Sequence, residues 1–290
     1  MRRCVWAVIF LLIAVSGRVY GYLGNNRPMV SVVMLTYKRA DILPRAIESI
    51  LAQTYLDFEF IILNDGSPDN TDEVVAVYND PRIRYYKNKQ NKGIAYSRNR
   101  AASFARGKYI MIMDDDDISL PERMQKQVAF LENNPEITVV AGQIKGLSRV
   151  PATHDDIAAG LIQYNNVGNA NIMYRADFAK KHQISYNQSL KASEDWDFWL
   201  KMLFAGAKFA AIAEDVLVRN AASKKHYGIN YEDANAPIRD FVGAFFSPKN
   251  SAKFYKAGAC GKLKQIAQKN IFSKEYQQKL FKANSCNEPD

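Results

Sequence analysis

The sequence predicts an α/β layered domain built on a mainly parallel sheet, and three observations carry that prediction. Short β-branched and aromatic runs alternate with segments of helical periodicity from Met29 to about residue 145. The first run, "MVSVVMLTY", is apolar almost without interruption, as a strand covered on both faces must be. The informative polar residues also fall at the carboxyl ends of these runs, where open parallel sheets hold their ligands.

The elements follow in order. After the first strand, "ADILPRAIESILAQ" sets Ile42, Leu43, Ala46, Ile47, Ile50 and Leu51 at helical spacing, with Pro44 in the first turn. "FEFIILND" reads as a second strand, "NTDEVVAVYN" as a second helix opened by a capping residue, and "RIRYYKN" as a third strand. "GIAYSRNRAASFARG" reads as a third helix closed by Gly107. "KYIMIM" is a fourth strand, "PERMQKQVAFLENN" a helix starting at a proline, and "ITVVAGQI" a fifth strand. Beyond about residue 150 the alternation fades. "NANIMYRADFAKK" is a strand then a helix, and "SEDWDFWLKMLFAG" is a helix with Ser193 as its cap and Gly206 at its end. A last strand runs through "AKFAAIAEDVLVRN".

Composition bounds the class. The chain has 290 residues, 48% of them apolar, enough for one large core. Its net charge of +9 is uneven: residues 221–290 hold 12 Lys/Arg against 6 Asp/Glu, and the rest 27 against 24. The basic tail suits anionic lipid or a polyanionic substrate. No nucleic-acid-binding motif accompanies it, so a nucleic-acid partner is not expected. "MRRCVWAVIFLLIAVSGRVYG" has a basic start and an apolar stretch from Cys4 to Val15, followed by small residues. That stretch covers only about 18 Å of a roughly 30 Å hydrocarbon core. It reads as a secretory signal cleaved after Ser16 or Gly21, or else as a membrane tether. Three divisions result: 1–24 as leader or anchor, 25–220 as catalytic domain, and 221–290 as a basic, largely helical extension. The expected location is the secretory pathway or a membrane face. Cys260 and Cys286 could pair in an oxidising compartment, and the three histidines show no metal-ligand spacing.

The chemistry gathers at "IMIMDDDDISLP", where an apolar strand runs without a spacer into Asp114, Asp115, Asp116 and Asp117. A solvated acidic turn is one reading. A site for Mg²⁺ or Mn²⁺ is the other, because such cations take hard oxygen ligands and leave positions open for substrate phosphates. Tyr37 and Arg39 follow the first strand, Asp65 the second and Lys92 the third, so these groups converge on the same edge.

Four segments in order then resemble the family 2 glycosyltransferases: the stretch from "SVVMLTYKRAD" to "NDGSPDN", then "NKGIAYSRNRA", "GKYIMIMDDDDISLPERM" and "SEDWDFWLKML", over about residues 29–218. The resemblance implies a GT-A fold, Rossmann-like and mainly parallel, and an inverting transfer from a nucleotide-sugar donor to a glycan or lipid-linked acceptor. It implies that Thr36, Tyr37 and Arg39 cradle the base and that Asp65 hydrogen-bonds it, usually a uracil. Lys92 and Arg98 fall where the family keeps basic residues near the donor. Asp116 would be the metal ligand and Asp114 or Asp115 would lie near the ribose, with Asp117 structural. Asp195 would be the general base, with Glu194 and Asp197 as first-turn carboxylates. Trp196 and Trp199 could flank a sugar ring or fill the core.

Other classes fit less well. A nucleotidyltransferase would carry a glycine-rich phosphate loop after the first strand, and "SVVMLTYKRAD" has none. A dinucleotide-dependent oxidoreductase lacks its G-x-G-x-x-G. A catalytically silent sugar-nucleotide or glycan-binding protein would not need the "SEDWD" segment.

Overall fold

The computed structural model describes residues 27–220 and 235–246, with residues 265, 268–269, 271–275 and 277–278. The apolar leader, Cys260, Cys286 and most of the basic tail lie outside the described residues. Four parallel strands form one half of the sheet: β1 (Val30–Thr36), β2 (Phe58–Asn64), β3 (Ile83–Lys87) and β4 (Tyr109–Asp114). The other half is built from β5 (Ile118–Ser119), β6 (Val139–Ile144), β7 (Ile172–Arg175) and β8 (Phe209–Val218). Across the sheet the order is β3-β2-β1-β4-β7-β6-β8-β5. β7 runs antiparallel to both β4 and β6, and β5 antiparallel to β8. The sheet is therefore mixed but mostly parallel.

Period-two alternation decides which helix covers which face. Val32, Met34, Phe60, Ile62, Met111 and Met113 point to one side, where they meet α1 (Leu43–Leu51), α2 (Thr71–Ala76) and α4 (Arg123–Asn133). Val33, Ile61, Leu63, Ile110 and Ile112 point to the other, against α3 (Ile94–Ser103), α5 (His154–Gln163) and α7 (Glu194–Phe204). Each such side chain contributes on the order of 1.5–3 kcal/mol by burial. α6 (Ala176–Lys181) follows β7 directly. α8 (Ala236–Phe246) buries Ile238 and Val242 in the same core and sets Phe241 5.6 Å from Phe204 of α7. Among the described residues no helix is long and apolar enough to cross a membrane.

Three local expectations are corrected and one element is added. Gly107 does not close α3, which ends at Ser103 with Phe104 at its cap. Gly107 instead lies against β1, where a Cβ would stand 2.5 Å from the Ser31 nitrogen, and it donates its N–H to Ser31 Oγ at 2.8 Å. Ser193 makes no side-chain cap, because its backbone is left-handed at φ 58°. Asn70 does not cap α2 either. The neighbouring Asp69 does the local bonding, taking Thr71 Oγ1 at 2.6 Å and the Ala40 N–H at 3.2 Å. Finally, β5 was not expected: two residues carry no periodicity, and only pairing with Leu217 and Val218 makes them a strand.

Candidate active site

A cleft of about 340 Å³ opens at the carboxyl ends of β1, β2 and β4. Thr36, Tyr37, Arg39, Asp65, Arg98, Asp114, Asp115 and Asp116 all line it, so the structure brings together eight of the residues singled out from the sequence. Lys92 is different. Its side chain is exposed, and only its backbone N–H enters the site, donating to Asp65 Oδ1 at 2.9 Å.

The loops after β1 and β2 hold each other in place. Lys38, left-handed at φ 57°, donates its N–H to Ser67 Oγ at 3.0 Å. Ser67 in turn donates its own N–H to Asn64 Oδ1 at 2.8 Å. Gly66 permits a close approach that no side chain would allow: a Cβ there would sit 2.5 Å from the Gln90 carbonyl carbon, at φ 72°. The approach lets Asp65 reach the loop after β3. Its carboxylate takes Asn88 Nδ2 at 2.6 Å, the Lys92 N–H and the Gly93 N–H at 2.9 Å. A carboxylate accepts about four hydrogen bonds. One position of Asp65, on Oδ2, thus remains for a ligand donor. Asn64, Ser67 and Asn88 were invisible as site residues in the sequence, because an asparagine or serine in a loop has no pattern that says what it supports.

The acidic run splits by direction. Asp115, 6% exposed, turns to Arg39, whose guanidinium lies 3.0 Å away and also grips Asp116. Asp114, Asp116 and Asp117 each offer a carboxylate oxygen, and all three oxygens lie within 4.8 Å of one another. Oxygens around a Mg²⁺-like ion at about 2.0–2.1 Å are roughly 3–4 Å apart, so this donor set fits a hard divalent cation. Asp117, read from the sequence as structural, belongs to that trio; it is 2% exposed and also accepts the Asn220 N–H at 3.2 Å.

Arg39, Arg98, Arg123 and Arg219 all act on these carboxylates, yet burial outweighs their pull. Burial pushes Asp115 up to about 7 against the pull of Arg39, and burial with the charges of Asp114 and Asp116 pushes Asp117 up to about 7. Burial also raises Asp114, opposed by Arg98 and reinforced by Asp116 and Asp195. Carboxylates this reluctant to ionise favour a cation among them.

The α7 amino end faces this run. Arg98 Nη2 stands 3.7 Å from Asp114 Oδ1, and its Nη1 donates to Glu194 Oε1 at 2.5 Å. Asp195 is half-buried outside the cleft lining; its Oδ2 accepts Asn165 Nδ2 at 3.1 Å and its Oδ1 the Trp196 N–H at 2.8 Å. Asp197 points elsewhere, to Lys201 at 2.6 Å, as expected for carboxylates two residues apart on a helix. Trp196 and Trp199 are both core residues, 4% and 0% exposed, with Trp196 Nε1 donating to Leu161 O at 2.7 Å. Neither flanks the site.

A mostly parallel sheet with acidic groups and a cleft at its carboxyl edge is the arrangement in which α/β enzymes hold their ligands. Residues 31–195 match the Glycosyl transferase family 2, and the chain belongs to that family. It is 34% identical over 217 residues to an uncharacterized glycosyltransferase of Methanocaldococcus jannaschii, covering 70% of this chain and 74% of the relative. With a second, from Haemophilus influenzae, it shares 32% identity over 60% of each chain. Among solved structures it resembles S. aureus TarS in complex with UDP-GlcNAc (TM-score 0.65, 18% identity, 82% of this chain and 70% of that one). It also resembles the mannosyltransferase PcManGT of Pyrobaculum calidifontis in complex with GDP-Man and Mn²⁺ (TM-score 0.57, 16% identity, 90% and 74%). The fold is the GT-A type, and the chain is a glycosyltransferase.

Proposed function

We propose that the chain is an inverting, metal-assisted glycosyltransferase moving a sugar from a nucleoside-diphosphate donor, with a UDP-sugar the first choice, to a hydroxyl of a glycan, lipid or polysaccharide-precursor acceptor. The observation that carries this reading is the meeting of two distant segments: the acidic run and the α7 amino end face each other across Arg98. The nucleotide-sugar complexes of TarS and PcManGT support the donor class.

In this reading Thr36 and Tyr37 flank the nucleoside and Asp65 accepts an N–H of its base with the position left free on Oδ2. Asp115, held by Arg39, lies toward the ribose. Asp116, with Asp114 and Asp117, holds a divalent cation, Mn²⁺ or Mg²⁺. When bound, that cation supplies Lewis-acid stabilisation of the charge on the departing diphosphate. Asp195 takes the proton of the acceptor hydroxyl as the oxygen attacks the anomeric carbon. Asn165 and the Trp196 N–H orient its two oxygens, so the base is aimed before the acceptor arrives. Inversion needs only this one base, on the face opposite the leaving group. The apolar N-terminal segment is assigned to delivery into the secretory route or to a membrane face, close to lipid-linked acceptors.

The test is a panel of sugar nucleotides with Mn²⁺, reading nucleoside diphosphate release and the anomeric configuration of the product. Asp195→Asn is expected to lower kcat by about 10³-fold with donor Kd within about threefold of wild type. Retained turnover would remove Asp195 from the mechanism, and a product of retained configuration would overturn inversion.

A further inference from the structure

Arg98 lines the cleft near the expected donor position, and its side-chain partners give it a second task. The side chain is 8% exposed. Its two terminal nitrogens face carboxylates, Glu194 at 2.5 Å and Asp114 at 3.7 Å, and its carbon lies 5.4 Å from the centre of the Tyr186 ring. The next residue on α3 repeats the pattern. Asn99 donates Nδ2 to Tyr186 O and accepts the Tyr186 N–H on Oδ1, both at 2.8 Å. Two consecutive residues of one donor-side helix therefore clamp the segment that leads into α7 and the first residue of α7 itself. Tyr186 also stacks on Phe198 of α7, with ring centres 4.3 Å apart.

We infer that Arg98 is a positioning residue: through Glu194 it fixes the start of α7, and with it Asp195, against the acidic run that holds the donor. The inference rests on the proposed function and deepens it, naming the part that aligns the base with the donor. Two physical points support it. A buried ion pair is weak as a stabiliser, since desolvation offsets its attraction, so its clearest contribution is to select one geometry. The residue before the pair, Ser193, is held left-handed without a side-chain cap, a conformation that persists only where neighbouring contacts over-determine it. The Arg98–Glu194 bond is such a contact, one residue away from Asp195.

The experiment compares Arg98→Gln, Arg98→Lys, Glu194→Gln and the double variant Arg98→Gln/Glu194→Gln. Misplacing a reacting group by about 1 Å costs about 10²-fold, and that is the expected loss of kcat for either Gln variant, with UDP affinity in the presence of Mn²⁺ held within about threefold. The double variant is expected to be no worse than the singles, because both remove one contact. Arg98→Lys is expected to recover part of kcat. Hydrogen–deuterium exchange over residues 186–200 reads the clamp without any turnover, and about tenfold faster exchange is expected in both Gln variants. Unchanged exchange, additive losses, or UDP binding weakened about tenfold in Arg98→Gln alone would each overturn the inference, the last by returning Arg98 to the donor diphosphate. Should Arg98→Gln fail to fold, the near-isosteric Glu194→Gln must still show the kcat loss and the faster exchange. Failure of the proposed function shows up separately, as a wild-type protein that releases no nucleoside diphosphate from any donor while the exchange difference persists.

Discussion

Glu59 and the acidic run are buried carboxylates at opposite ends of the same sheet, and their surroundings differ in kind. Glu59, at the amino end of β2, takes Ser31 Oγ at 2.6 Å, Arg84 Nη1 at 2.5 Å, and the Arg106 N–H and Nε at 2.7 and 2.9 Å. Burial alone would raise its pKa, yet these donors hold it below the usual carboxylate value. At the carboxyl end, burial pushes Asp115 and Asp117 up to about 7, although Arg39 bonds Asp115 and both Arg219 and the Asn220 N–H favour the charge on Asp117. One cluster is complete in itself. In the other, burial and mutual repulsion of the aspartates outweigh the arginines beside them, an arrangement that favours a cation among the carboxylates.

The contrast can be broken by mutation, and the largest effect is expected at the complete cluster. Glu59→Ala removes the carboxylate shared by Arg84, Arg106 and Ser31, so it should destabilise the fold by about 3 kcal/mol in urea titrations. Cation-dependent UDP binding should be unchanged in that variant, and a loss there would mean the two ends of the sheet are coupled.

A cation should act only at the other end. Mn²⁺ at about 100 times its Kd is expected to stabilise the protein by about 2.7 kcal/mol, seen as a raised Tm. Asp116→Ala should abolish the rise with little change in the metal-free Tm. A rise that survives this substitution would place the ion elsewhere.

The smallest effect sharpens the contrast through pH. Asp117 has a folded pKa above its unfolded value near 4, so its cost is absent below about pH 4 and complete above about 7. A carboxyl held at about 7 instead of near 4 costs at most about 4 kcal/mol when ionised, and solvent screening at the partly exposed neighbours Asp114 and Asp116 reduces this. Without metal, Asp117→Asn should therefore be more stable than wild type at pH 8 by about 1–2 kcal/mol, and equal to it at pH 4. Glu59 behaves oppositely: its folded pKa is depressed, so its contribution is present above about 4.3 and lost as pH falls through the folded value. Glu59→Gln should thus lose its disadvantage in acid. Parallel pH profiles for the two variants would erase the distinction.

Much of the fold was legible because strands and helices write their period into neighbouring residues. "FEFIILND" and "KYIMIM" alternate between two helical layers, and β2 and β4 lie where those runs are. Legibility failed where a residue is shaped by something far away. Gly107 read as a helix stop but is a spacer against Ser31, and Ser193 read as a cap but lacks the backbone angle for it. In the site, Tyr37, Arg39, Asp65, Asp114, Asp115 and Asp116 were found from strand-end chemistry, and Thr36 and Arg98 only from the family resemblance. Asn88 and Asn165 were not, since an amide that orients a carboxylate leaves no local trace.

By itself the sequence determined the alternating α/β order and which chemical groups stand at the strand ends, because both depend on residues within a few positions of one another. Tertiary structure alone decided that Asp117 joins Asp114 and Asp116 while Asp115 turns to Arg39. It alone also decided that the charge of Arg98 meets Glu194, 96 residues further along the chain. Those outcomes depend on which charges are desolvated together, and shared burial exists only once the chain has folded.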